Sequence, residues 1–150
     1  MRILIQRVTR ASVRVEGKLE AQIGAGVLAL VGIAATDGRN EADYLAGKLV
    51  HLRLFADEEG RMNRSALDVR AELLLVSQFT LYGNCEKGRR PSFDAAAPPE
   101  AARELYDYLV RRVAGNGLVT QTGVFQAHME VELVNDGPVT LLLESEAKQR

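Results

Sequence analysis

Two short segments hold the residue types that can act on a substrate. Ser77-Gln78-Phe79-Thr80 follows the apolar run Leu73-Leu74-Leu75-Val76. It brings two hydroxyls, an amide and backbone N–H donors to the mouth of a buried strand, where a loop leaving the core is free to meet a ligand. Asn135-Asp136-Gly137-Pro138-Val139-Thr140 places a Gly-Pro dipeptide at a tight turn between two strands. Glycine lacks a Cβ and proline lacks an N–H, so both carbonyls can face a ligand without steric cover. Each segment also has an ordinary explanation: a strand ending in polar residues, and a hairpin turn. Ser77 and Thr80 carry nucleophilic hydroxyls, yet the sequence puts no base beside either. Any chemistry here must rest largely on backbone groups.

The other reactive residues form no familiar set. His51 falls on a predicted helix and His128 before a predicted strand, and neither has a second histidine or a cysteine at ligand spacing. Both read as ordinary histidines, and neither a metal nor a cofactor is expected. Cys85 sits in a polar loop near Lys87, where an inert thiol and a lowered-pKa thiolate are both open readings. Lys87-Gly88-Arg89-Arg90-Pro91 is the one concentrated basic stretch, and such a loop can hold phosphate or simply be solvated charge.

The chain that must position these segments has 150 residues and a net charge of −1. That length suits one domain, spanning residues 1–150, large enough to bury about two-thirds of its unfolded surface. Near-neutral charge announces no global field for nucleic acid, although a local patch remains compatible with it. A single cysteine excludes an internal disulfide framework and suits a reducing compartment. Charge arrives too early at the N-terminus for a signal peptide. The longest apolar stretch, Val27–Ala35, is far shorter than the roughly 20 residues that span a bilayer. The expectation is a soluble cytoplasmic protein with no membrane partner.

Periodicity supplies the elements. Ile3–Val8 reads as a strand, and Ala11, Val13 and Val15 alternate with polar residues as a second. Glu16-Gly17-Lys18 turns the chain into a hairpin partner carrying Leu19, Ala21 and Ile23. After Gly24-Ala25-Gly26, Val27–Val31 is apolar enough for burial on both faces. Asp37–Asn40 offers capping side chains to a helix bearing Leu45, Leu49 and Leu52. Arg53-Leu54-Phe55 returns to the sheet, Asp57–Gly60 turns, and Glu72–Val76 is another strand. Pro98-Pro99-Glu100 opens a second helix with Leu105, Tyr108, Leu109 and Val113 on its apolar face and Gly115 at its end. Val119–Phe125, Met129–Val134 and Val139–Leu143 complete the strands. Runs of strands without crossover helices predict an α+β fold: a mostly antiparallel, curved sheet or barrel flanked by two helices.

The two opening segments resemble the signature motifs of the D-aminoacyl-tRNA deacylases, and the likeness runs the length of the chain. Ile5-Gln6-Arg7-Val8-Thr9-Arg10-Ala11-Ser12-Val13 looks like that family's start, and Gly60-Arg61-Met62-Asn63 is similar to its middle. Lys87-Gly88-Arg89-Arg90-Pro91-Ser92-Phe93 and Thr122-Gly123-Val124-Phe125 match further segments. Two departures stand out. Gln126 replaces a usual glycine or alanine, and Asn84 replaces a common aspartate; both concern the pocket rim.

The resemblance implies a homodimer of β-barrel-like subunits that hydrolyses the ester joining a D-amino acid to the terminal adenosine of tRNA. It implies a cis Gly137-Pro138 reaching into the other subunit's pocket, with Arg7 helping to hold it. Ser77, Gln78, Phe79 and Thr80 would line that pocket. The expected mechanism uses the N–H groups of Phe79 and Thr80 on the ester carbonyl, and Lys87, Arg89 and Arg90 on the tRNA backbone. Two other classes remain in view: a non-catalytic nucleic-acid-binding module, and a general hydrolase of small esters or thioesters.

Overall fold

The computed structural model describes residues 1–145. β1 (Arg2–Val15) and β8 (Glu130–Glu144) are the two long strands, and they pair antiparallel along nearly their whole lengths. The opposite edge of β1 is taken by β3 (Gly26–Gly32) over Arg2–Val8 and by β2 (Lys18–Ile23) over Ala11–Val15. β2 and β3 keep one register against β1, since Ala11 pairs with Ile23 and Val8 with Gly26. They act as a single partner bent at Gly24-Ala25. β6 (Glu72–Ser77) then joins β3 in parallel, and β7 (Thr120–Thr122) joins β6 in parallel. The bend swings β2 back toward β6 and β7, so the mixed sheet is nearly closed into a barrel.

Around β3 and β6 the sheet is buried on both sides. Leu73 and Leu75 of β6, with Ile3, Ile5, Val27, Ala29 and Val31, pack against α1 (Arg39–His51) and α3 (Pro99–Ala114). Leu74 and Val76 point the other way, into a second cluster with Val8, Val13, Ile23 and Leu28. Alternate side chains of one strand thus enter two cores, which is why Leu73–Val76 reads as an unbroken apolar run. Leu45 and Leu49 of α1 and Leu105, Leu109 and Val113 of α3 enter the first core as their spacing predicts.

Several expectations need correction. The sheet is mixed, because the β3-to-β6 connection contains α1, β4 (Arg53–Ala56), β5 (Met62–Ser65) and the short α2 (Ala66–Val69). Such a connection is long enough to cross over to a parallel strand. β4 and β5 form a separate two-stranded sheet and do not return to the main one. Among the described residues there are three α-helices, one more than periodicity predicts, because the four residues of α2 are too few to show a helical repeat. On α3 the buried tyrosine is Tyr106; Tyr108 is half-buried and donates its hydroxyl to Asp43 Oδ1 at 2.7 Å. Ile3–Val8 and Ala11–Val15 are one strand. So are Met129–Val134 and Val139–Leu143, which leaves Asn135–Thr140 as a bulge inside β8 and not a hairpin turn.

Candidate active site

β6 delivers the first motif. Ser77 is its last residue, opposite Val31, and the Gln78 N–H donates to the Val31 carbonyl at 2.7 Å. The chain then tightens into a 3₁₀ turn, Phe79–Tyr82, in which the Leu81 N–H donates to the Gln78 carbonyl at 3.2 Å. Among the described residues, the N–H groups of Phe79 and Thr80 have no backbone acceptor; the first donors of a helical turn lack an internal partner. Gln78 Nε2 donates to Thr80 Oγ1, so that hydroxyl is engaged by its own motif. Phe79 is 58% exposed and meets Phe93 edge to face, with ring centroids 5.1 Å apart.

These residues open onto a cavity of about 690 Å³. Ser77, Gln78 and Phe79 form one wall, Phe93 and the start of α3 at Pro98-Pro99 another, and Phe125 to Met129 the third. Thr80 is exposed and lies outside the lining. The floor is braced from below. The Tyr106 hydroxyl donates to the Leu75 carbonyl at 2.9 Å, two residues before Ser77, and the Gly123 N–H reaches the same carbonyl at 2.9 Å. Burial holds the Tyr106 hydroxyl well above the ordinary phenol range, with Asp107 adding to the effect; it stays a neutral donor. Phe93, Met129 and His128 were missed as lining residues by the sequence reading. His128 is exposed at this rim, whereas His51 closes α1 elsewhere. The only signal for these residues was their closeness to Thr122–Phe125 and to the basic stretch.

The second motif lies in a different place. Gln6 pairs with Thr140 and Val8 with Asn135, so Asp136–Val139 bulge out opposite Arg7 alone. Asn135 ties the base of the bulge: its Nδ2 donates to the Val139 carbonyl at 3.1 Å and to Thr140 Oγ1 at 3.0 Å, while the Val139 N–H donates back to Oδ1 at 2.8 Å. Arg7 Nε donates to the Asp136 carbonyl at 2.9 Å and Nη1 to the Leu54 carbonyl at 2.6 Å, joining the bulge to β4. The Gly137-Pro138 bond is cis. Gly137 has φ of +153°, and a Cβ there would stand 2.6 Å from the Val139 nitrogen. Both residues are exposed, and neither they nor Arg7 line the cavity of their own chain.

Lys87, Arg89 and Arg90 occupy an exposed loop closed by paired hydrogen bonds between Asn84 and Ser92, at 2.7 and 2.9 Å. Asn84 Oδ1 also accepts the Glu86 N–H at 2.9 Å, so this departure from the resembled pattern still tightens the loop. Phe93, directly after the loop, is part of the cavity wall. Cys85 is an exposed free thiol. No helix of the described residues is long and apolar enough to cross a membrane.

Comparison with known proteins gives the family. A family model described as D-Tyr-tRNA(Tyr) deacylase matches residues 4–144. A D-aminoacyl-tRNA deacylase of Desulfitobacterium hafniense is 57% identical over 146 residues, covering 97% of this chain and 98% of its own. A Koribacter versatilis protein of the same name is 57% identical over 145 residues, covering 97% of each. Among solved structures, the c-Myc DNA Unwinding Element Binding Protein superimposes with a TM-score of 0.91 at 40% identity, over 97% of this chain and 99% of that one. A probable eukaryotic D-amino acid tRNA deacylase gives 0.82 at 18% identity, over 95% and 97%, and speaks for the fold alone. With a matching barrel and relatives aligned end to end, this chain belongs to the D-Tyr-tRNA(Tyr) deacylase family of aminoacyl-tRNA ester hydrolases.

Proposed function

We propose that this chain, acting as one domain over residues 1–150, hydrolyses D-aminoacyl-tRNA to free D-amino acid and tRNA and leaves the L-aminoacyl form intact. The last five residues lie outside the described ones. The observation that carries the reading is the end-to-end 57% identity to D-aminoacyl-tRNA deacylases, combined with a cavity walled by Ser77, Gln78 and Phe79. Water attacks the ester carbonyl, the carbonyl–oxygen bond to the terminal ribose breaks, and the proton passes to the leaving oxygen with help from the neighbouring 2′-hydroxyl. Phe79 and Thr80 N–H groups stabilise the developing oxyanion, a contribution of about 2.7–4 kcal/mol per donor in well-studied enzymes. An aminoacyl ester is already activated, so this modest reduction suffices. The engagement of Thr80 Oγ1 by Gln78 favours the backbone over the side chain. Thr80→Ala should therefore retain most activity; a loss beyond about a thousandfold, larger than one oxyanion donor explains, with fold and binding intact, would make Thr80 the nucleophile.

Selection follows from shape. In a homodimer, Gly137-Pro138 of one subunit enters the other's pocket, binds the substrate ammonium through its two carbonyls and leaves no room for an L side chain. Two features support this: Gly137 and Pro138 are exposed and take no part in lining the cavity of their own chain, and Val134, Leu141 and Leu142 beside them on β8 are 39%, 41% and 48% exposed. A filter at the α-carbon cannot exclude glycine, so glycyl-tRNA is a substrate as well. Lys87, Arg89 and Arg90 meet the tRNA backbone near its acceptor end, in the cytoplasm where charged tRNA is found. Replacing Arg89 and Arg90 together by alanine should flatten the salt dependence of tRNA binding.

The test is paired: D-tyrosyl-tRNA and L-tyrosyl-tRNA with the same enzyme, followed by glycyl-tRNA. Of the tyrosyl pair only the D form should be turned over, and glycyl-tRNA should be turned over too. Equal turnover of both would remove the chiral filter. A second reading, a non-catalytic nucleic-acid-binding module, draws on the basic loop and on the DNA-element-binding name of the 40% identical relative. It requires that neither ester be cleaved.

A further inference from the structure

The turn that presents Phe79 and Thr80 is four residues long. A 3₁₀ turn of this length has poor hydrogen-bond geometry and little rigidity of its own, so its orientation must come from its neighbours. Arg2, at the start of β1, donates from Nη1 to the Leu81 carbonyl at 2.9 Å. Its guanidinium lies 4.5 Å from the centroid of the Tyr82 ring, and its Nε stands 3.2 Å from Glu144 Oε1, its cross-strand neighbour on β8. On the other side of the ladder Arg2 pairs with Gly32. A Cβ at Gly32 would fall 2.9 Å from Leu81 Cβ, 3.1 Å from the Gln78 carbonyl oxygen and 3.3 Å from the Tyr82 ring. The row Glu144–Arg2–Gly32 is therefore a seat for the turn. A missing side chain shapes it at one point, and a planar cation grips the turn at the next. Tyr82, the last residue of the turn, is only 6% exposed against this seat.

We propose that Arg2 is a positioning residue for the reaction. By fixing the Leu81 carbonyl and the Tyr82 ring together, it sets the direction in which the Phe79 and Thr80 N–H groups point. The inference rests on the reading above that those groups meet the ester carbonyl. Arg2 does not line the cavity, so its influence reaches the substrate through the turn. A guanidinium donates in its plane while stacking through its face; an ammonium is a point charge that cannot do both. Lysine at position 2 is accordingly a poor replacement even though the charge survives.

The test compares the wild type, Arg2→Met and Arg2→Lys by steady-state deacylation of D-tyrosyl-tRNA and by the backbone amide NMR signals of the free enzyme. Arg2→Met should lower kcat by about a hundredfold, the scale of a misplaced catalytic group, with KM held within about threefold because ground-state contacts are untouched. Arg2→Lys should recover less than about a tenth of the wild-type kcat, since it restores charge without the planar fork. The amide signals of Phe79 and Thr80 should shift while those of Leu73 to Val76 stay in place. A wild-type kcat in either variant, a loss carried by KM alone, or unmoved Phe79 and Thr80 signals overturns the proposal. Should Arg2→Met fail to fold, Arg2→Lys decides by the same criteria. If the wild type itself leaves D-tyrosyl-tRNA intact, the proposed function falls, and the amide signals alone judge the positioning.

Discussion

Ser77–Thr80 leaves the end of a strand buried on both faces, whereas Asn135–Thr140 arches out of a strand that has one exposed side. The strand that carries the first is aimed by packing, with Leu73, Leu75, Leu74 and Val76 locking β6 between two cores, and Arg2 then seats the turn beyond it. The second is aimed largely by polar contacts, three from Asn135 and two from Arg7, whose partners lie as far as 129 residues away in the chain, with Val139 resting against the principal core. A strand packed on both faces keeps its direction when one polar group is lost, while a bulge held by five directed bonds depends on each of them. The two motifs should therefore fail differently when perturbed.

The largest effect is expected at the packed site. Leu75→Ala opens a cavity in the principal core and should cost about 2–5 kcal/mol, read as a lowered denaturant midpoint, with the preference for D over L unchanged in the enzyme that remains folded. A lost preference at unchanged stability would reverse the comparison. Gly137→Ala comes next. Its Cβ meets the Val139 nitrogen at 2.6 Å, so the bulge must rearrange, and the ratio of D to L turnover should fall by about a hundredfold, the cost of roughly 1 Å of misplacement. Its melting temperature should hardly move, because residue 137 is outside both cores.

Asn135→Ala is gentler. It strips the Val139 N–H of its acceptor and should cost about 1 kcal/mol in stability, with a partial loss of selectivity in the paired assay. The smallest effect is one of pH. Asp57 in the β4–β5 turn accepts the Arg61 N–H, then those of Glu59 and Asn63, and these bonds hold its carboxyl below the ordinary 3.8. A lowered carboxylate contributes its stabilisation above the unfolded value and loses it as pH falls through the folded one. Below pH 3.8, amide exchange in residues 57–63 should therefore quicken before that of Phe79–Tyr82. Asp57→Asn should remove the pH dependence.

The same contrast governs what was legible beforehand. β6 and its polar exit were readable because burial on two faces leaves a continuous apolar run that any strand reading finds. Helices α1 and α3 were readable from Leu45, Leu49, Leu105 and Leu109 at helical spacing. The parallel pairing of β3, β6 and β7 was not, since nothing local to Val27–Val31 or Leu73–Val76 states which direction a neighbour runs. Asn135–Thr140 carries every residue that punctuates a chain, so it read as a hairpin turn. Only Gln6 and Val8, far away on β1, reveal that β8 continues through it. The cavity wall from Phe125 to Met129 and the brace from Arg2 were equally silent. Their meaning lies in contacts between segments that periodicity treats one at a time.

Gln126 carries one last consequence. It holds a left-handed φ of 65° at the lip of the cavity, a conformation that costs an ordinary residue about 1–2 kcal/mol. The cavity lining thus includes a side chain whose backbone conformation is tolerated at some expense. Trimming that residue to glycine would relieve the main chain and remove one side chain from the cavity's lining in a single exchange.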